Sequence, residues 1–267
     1  LEKSFSNNFF ATVAYTRSDA KSVNDGGSIA QSIWRDRVVS GDPNEAALAN
    51  SSYLVKDRVV AGLTYSKEYF KFAKTTIGLF YEYQTGNPFS YTYSGDMNGD
   101  GSGGGGNDLI YVPKDASEIK LQDITGTSPY TAAQQWAALD AYINQDPYLS
   151  TRRGMYAERN SAFTPSRGQL DLSIKQDFFV NVKQKRNTIQ VSFDIFNFGN
   201  MLNSNWGVFK GVSRVALLTY RGYDKDKNPI FTFPYVSGTT PLTSSFFDSK
   251  GIASRWQAQL GLRYIFN

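Results

Sequence analysis

The stretch 94–113, SGDMNGDGSGGGGNDLIYVP, gathers the acidic, amide and glycine residues that metal and phosphate chemistry use. Asp96, Asn98, Asp100 and Gly101 match the first, third, fifth and sixth positions of an EF-hand-type loop, whose oxygens suit a hard cation. The last position of such a loop should be a bidentate Glu; here it is Asn107, followed by Asp108. The candidate calcium ligands are therefore Asp96, Asn98, Asp100, Asn107 and Asp108, with no pair of EF-hand helices around them. The same residues equally build an Asp/Asn/Gly turn that bonds its own backbone, and both readings stand. Gly101, Gly103 and Gly106 also fit G-x-G-x-x-G, which requires a buried strand before and a helix after. Asn107 to Pro113 has no helical pattern and no Gly-Lys-Ser/Thr follows, so nucleotide binding is set aside.

Little else in the chain could do covalent chemistry. It holds neither Cys nor His, which removes thiolate and histidine catalysis, disulfides and ordinary zinc sites. Glu82, Asp171 and Asp194 could serve as an acid–base pair only in a cleft that nothing in their spacing implies. Arg152, Arg153 and Arg159 could meet an anion, or bond loop carbonyls and nearby acids. Trp34, Trp136, Tyr130 and Tyr148 could stack on a ligand, or pack loops together. We expect no enzyme and no cofactor beyond the candidate calcium. A net charge of +4, spread thinly, gives no dedicated nucleic-acid face.

The elements that must position these residues are strands. In 255–267, RWQAQLGLRYIFN, Trp256, Ala258, Leu260, Leu262, Tyr264 and Phe266 share one face, opposite Arg255, Gln257, Gln259 and Arg263. A dozen alternating residues suit a tilted bilayer-crossing strand better than a soluble one. Similar faces recur: Phe9, Ala11, Val13 and Tyr15; Val59, Ala61, Leu63 and Tyr65; Ile77, Leu79, Tyr81 and Tyr83; Leu170, Leu172 and Ile174; Ile189, Val191, Phe193 and Ile195. Two weaker stretches, 209–222 and 229–237, bring the expectation to about eight strands. Tyr15, Tyr65, Tyr83 and Tyr264 near strand ends suggest an aromatic girdle.

Connections alternate: long at 18–52, 85–167, 198–208 and 238–254, short at 66–74, 177–187 and 223–228. That is the habit of an up-and-down transmembrane barrel with short periplasmic turns and long extracellular loops. The expected fold is thus all-β, an antiparallel barrel segment occupying residues 1–267 as part of one domain. Within the longest loop, 131–146 reads as a helix, with Trp136, Leu139, Tyr142 and Ile143 on one side and Pro147 ending it. The start at Leu1-Glu2-Lys3, without Met or signal peptide, suggests a piece of a longer protein.

Seven stretches in order, TTIGLFYEYQTGNPFSYTYSGDMNGDG, NDLIYVP, QWAALDAYI, YAERNSAFTP, QLDLSIKQDF, FDIFNFGNMLN and QAQLGLRYIF, resemble the C-terminal part of TonB-dependent outer-membrane transporters of the Bacteroidetes. The likeness covers about residues 55–267 and is nearest the Oar-like, carboxypeptidase-regulatory-domain group, related to SusC-like importers. It implies an outer-membrane receptor for energised solute uptake, with a barrel of about 22 strands around a plug. It also implies lipid, the rest of the barrel and plug, the TonB complex and a SusD-like surface lipoprotein as partners. The loops would be extracellular and the C-terminus periplasmic. Tyr264 and Phe266 resemble the aromatic assembly signal, although Asn267 follows them where most members end on an aromatic. The alternative is an Oar-like structural, surface-assembly or adhesion barrel without import.

Overall fold

Seven antiparallel strands form one sheet in the computed structural model, which describes residues 1–26, 29–101, 106–182 and 185–266. They are β1 (Glu2–Ser4), β2 (Phe9–Arg17), β3 (Asp57–Tyr69), β4 (Ala73–Gln84), β5 (Arg167–Val182), β6 (Lys185–Phe196) and β7 (Gln257–Ile265), paired in that order. The sheet ends on β1 at one side and on β7 at the other. No helix among the described residues is long and apolar enough to cross a membrane, which says nothing of crossing by strands.

Register shows why the alternation in sequence matters. Phe9, Tyr65, Ile77, Ile174, Phe193 and Leu260 stand side by side across all six long strands. One residue along, Phe10, Thr64, Gly78, Ser173, Asp194 and Gln259 form the next row on the opposite face. A one-residue slip would exchange the faces, so the pattern fixes the pairing. Much of the apolar face is uncovered among the described residues: Ile77 is 38% exposed, Val191 36%, Trp256 48% and Leu260 75%, whereas Ile195 and Ala73 near its two ends are buried. Tyr15 and Tyr83 flank Val59 at one end of that face, and Tyr69, Ala73, Phe178, Ile189 and Tyr264 line up at the other. Tyr65 departs from the expected girdle, since its neighbours Phe9 and Ile77 belong to an inner row.

The connections are also sorted by end. Residues 18–56, 85–166 and 197–256 join strands at one end. At the other, β1 meets β2 through 5–8 and β3 meets β4 through 70–72, where Phe70 and Lys71 adopt positive φ. Strands β5 and β6 join through 183–184, outside the described residues. The strands run further than expected, absorbing most of 66–74 and 177–187.

The expectation of about eight barrel strands needs correction. Residues 209–222 and 229–237 do not enter the large sheet. Ala216–Tyr223 and Pro229–Thr232 pair with Lys120–Leu121 and Thr92–Ser94 in a separate four-stranded sheet. The segment 223–228 is a hairpin turn within that sheet, and the loops placed at 198–208 and 238–254 belong to one connection. At eight and four residues these strands are too short to cross a bilayer. Leu217 and Leu218 are both buried although adjacent, which a two-sided barrel strand would not allow.

Candidate functional site

The long connections fold together into a module with its own core. Tyr91, Tyr93, Ile110, Val112, Leu139, Tyr142, Ile143, Leu217, Leu218, Phe231 and Phe233 are buried in one cluster. The helices are α1 (Ala30–Arg35), α2 (Ala132–Gln145) and α3 (Phe198–Leu202). In α2, Thr131 and Gln134 form a reciprocal capping box, and Leu139, Tyr142 and Ile143 face the core as their spacing predicts. Trp136 packs beside that core, half-buried. Gln135 was not foreseen: its amide donates to the Gln122 and Tyr130 carbonyls (both 2.8 Å), and its Oε1 accepts from the Phe233 amide (2.8 Å).

Asp146, after α2, ties three segments. Its buried carboxylate accepts from the Tyr91 hydroxyl (2.6 Å), the Ser245 hydroxyl (2.5 Å) and the amides of Tyr148 (2.9 Å) and Leu149 (2.7 Å). Four donors around one carboxylate satisfy a charge that burial would otherwise penalise. Burial in the same place pushes the Tyr91 phenol far above its usual range.

The acidic stretch serves this module as a brace. Asp96 Oδ1 accepts from the amides of Gly99 (2.8 Å) and Asp100 (3.2 Å), and Oδ2 from that of Gly101 (3.0 Å). Asp100 Oδ2 accepts from the side-chain amides of Asn98 (3.0 Å) and Asn107 (2.9 Å). Asn98 and Asn107 also donate to the carbonyls of Gly41 (2.8 Å) and Arg35 (3.1 Å), and Val39 bridges Asp108 in parallel. Asp108 accepts from the Met97 amide (2.9 Å), yet burial first, and then the charge of Asp100, raise its carboxyl above the usual range. The five predicted ligands are thus tied to one another's segments by hydrogen bonds and clamped to the 18–56 connection. No group of three acidic side chains spaced to hold a metal occurs among the described residues. Gly103 of the glycine pattern lies outside the described residues; Gly101 and Gly106 have positive φ, and Asp108 and Leu109 form bridges to Val39 and Thr92.

Other candidates are dispersed. Glu82 pairs with Arg58 (2.6 Å), Asp171 accepts from the Asn197 amide (2.7 Å), and Asp194 accepts from the Ser173 hydroxyl (2.5 Å), all on the polar face of the sheet. Arg152 pairs with Glu158 (3.1 Å), and Arg153 with Asp140 (2.5 Å) and the Lys114 carbonyl (3.1 Å). Tyr130 stacks on Tyr235 at 3.9 Å, and Tyr148 accepts from the Glu158 amide (2.7 Å). Trp34 stays half-exposed, donating to Asn44 (3.1 Å). Tyr264 lies on the exposed apolar face of β7, donates to Asn187 (2.9 Å) and stacks with Phe266 at 5.7 Å.

A largely uncovered apolar sheet face beside a folded module with its own core is what a barrel wall with structured loops presents. Comparison with known families decides it: the model of the outer membrane beta barrel domain matches residues 1–206. The chain belongs to that family. No curated protein and no solved structure matches it. Membership places the chain in the outer membrane and gives its apolar face to lipid, and its polar face to the interior of the barrel.

Proposed function

We propose that the chain is the C-terminal part of a TonB-dependent outer-membrane receptor and transporter. It supplies barrel wall and extracellular loops for energised solute uptake. The observation that carries the reading is the module. Three long connections build one folded body at a single end of the wall, with a core fit to hold its shape in water. A rigid vestibule costs sequence that a plain membrane anchor does not need. The seven stretches resembling the Oar-like and SusC-like groups support the same reading. In it, the module end faces outward and the C-terminus the periplasm. The remaining strands, a plug and the TonB complex complete the machine, and a SusD-like lipoprotein would cap it. No covalent bond is made or broken.

Deletion of the gene should abolish growth on one solute from a panel of peptides, glycans and metal chelates. Inactivating TonB should reproduce that loss. Unimpaired growth across the panel, with surface adhesion or assembly lost instead, would favour the Oar-like structural alternative. Protease added to intact cells should cleave within the module and spare the turn at 70–72.

A further inference from the structure

Two guanidinium groups are buried in the module without a carboxylate partner. Arg37 is 5% exposed and Arg159 9%. Arg37 Nη2 donates to the carbonyls of Pro43 and Glu45, while its Nε and Nη1 are buried and donate to nothing. Arg159 Nη2 donates to the carbonyls of Ser22 (2.5 Å) and, more weakly, Ala47 (3.5 Å). The Arg37 guanidinium also lies over the Trp34 ring, 5.3 Å from its centre, but carbonyl dipoles and a ring face orient a cation without neutralising it, and a buried charge without a counter-ion is costly. Burial, and then the charge of Arg37, lower the Arg159 pKa, and Asp25 offsets this only in part. The Asp25 carboxylate is itself taken by the Ser22 and Ser51 hydroxyls (2.6 and 2.8 Å) and the Ser52 amide (2.8 Å).

Both arginines line one cavity of about 420 Å³ between the 18–56 connection and residues 157–161, and Lys21 joins them there. No ion pair links Lys21, Arg37 or Arg159 to a carboxylate among the described residues. The acids at the rim are committed or turned to water. Glu158 pairs with Arg152, Asp42 accepts from the Asn44 amide (2.8 Å), and Asp42 and Glu45 are exposed. The rest of the lining mixes apolar side chains, among them Val38, Val39, Leu48 and Leu109, with Ser40, Asn50 and Ser161. Such a cavity falls within the size range of small-molecule sites. It presents positive charge together with apolar side chains.

We propose that this cavity binds an organic carboxylate, an anionic head against Arg37 and Arg159 with an apolar body along Val39 and Leu109. A free peptide C-terminus has that chemistry. Bare phosphate shares the oxyanion but would leave the apolar side chains unused. As a cargo site the cavity rests on the transport reading; as a binding site it stands without it.

The test is calorimetric titration of the intact barrel, purified from native membranes, with N-acetyl-dialanine, its C-terminal amide and inorganic phosphate. The expected result is binding of the carboxylate, about tenfold or more weaker binding of the amide, and a similar loss in Arg159→Gln. Arg159→Lys, which keeps the charge, should recover part of it. Because a variant could disturb the loop, amide exchange is also measured on the unaltered protein. The carboxylate should slow exchange in 37–48 and 157–161 and leave the barrel strands unchanged. Equal binding of acid and amide, binding of phosphate alone, no binding, or protection elsewhere would each overturn the proposal. Carboxylate binding without solute uptake would refute the transport reading and leave the site intact.

Discussion

Phe193 and Phe231 are both strand phenylalanines, yet one is 40% exposed and the other 5%. Phe193 stands between Ile174 and Leu260 on the uncovered part of the apolar face. Phe231 stacks on Tyr93 at 4.9 Å inside the module. The same side chain on the same type of element meets opposite surroundings, because the solvent differs. In the wall, lipid is the apolar phase and the protein supplies only one boundary of it. In the module the chain must build its own apolar phase, so side chains converge and polar groups are bonded one by one, as around Asp146 and Gln135.

Truncation should separate the two regions most sharply. Phe231→Ala should cost the module about 3–5 kcal/mol through lost burial and a cavity. Leu260→Ala, on the uncovered face, should cost far less. Denaturant unfolding in lipid vesicles, with amide exchange to locate each loss, reads both. Similar costs at both positions would mean that the wall too is packed against protein.

A charge inverts the ranking. Leu260→Arg should destabilise the wall by about 2–4 kcal/mol if its row lies near mid-membrane. Gln259→Arg, one residue along and facing the interior, should be tolerated. The same unfolding assay measures the difference, and equal effects would break the assignment of faces.

The junction between the regions is narrower than either. A Cβ at Gly86 would lie 1.8 Å from the Thr164 carbonyl oxygen, where the 85–166 connection leaves and re-enters the sheet. Gly86→Ala should therefore cost about 1–3 kcal/mol through overpacking. Loosened module amides with unchanged strand amides would place the strain at the neck.

This sorting explains what could be read from sequence. Long strands such as 187–197 and 255–266 declare themselves because one face needs lipid and the other water, residue after residue. The helix at 131–146 was equally legible from its spacing and from Pro147 after it. The segments at 209–222 and 229–237 were misread because their apolar content serves a water-excluded core, where strict alternation is not required. The adjacent Leu217-Leu218 pair was the available warning. The acidic stretch showed its turn chemistry but not its partner, because Arg35, Gly41 and Val39 are distant in sequence. Arg37 carried no signal at all, and Arg159 acquires meaning only through the residues around it.

The smallest expected effect concerns acid. Burial alone would raise the Asp25 carboxyl, but the Ser22 hydroxyl, the Ser52 amide and the Ser51 hydroxyl outweigh it and hold it well below the usual carboxylate range. A depressed acid stabilises the fold above its unfolded pKa, near 4. That contribution fades as pH falls through the lower folded value. Exchange in 18–56 should therefore quicken in strong acid relative to the strands, and Asp25→Asn should remove that dependence. An identical acid response in the variant would assign the loosening to other groups.

The most direct test uses the absence of cysteine. Single Gln190→Cys, Val191→Cys, Ser192→Cys, Phe193→Cys and Ala141→Cys variants are labelled with a fluorophore, and the barrel is reconstituted in brominated lipid. Quenching should alternate along β6, strong at 191 and 193 and weak at 190 and 192, and should be absent at 141 in α2. Uniform quenching along β6, or quenching at 190 and 192 instead, would contradict the assignment of the apolar face to lipid.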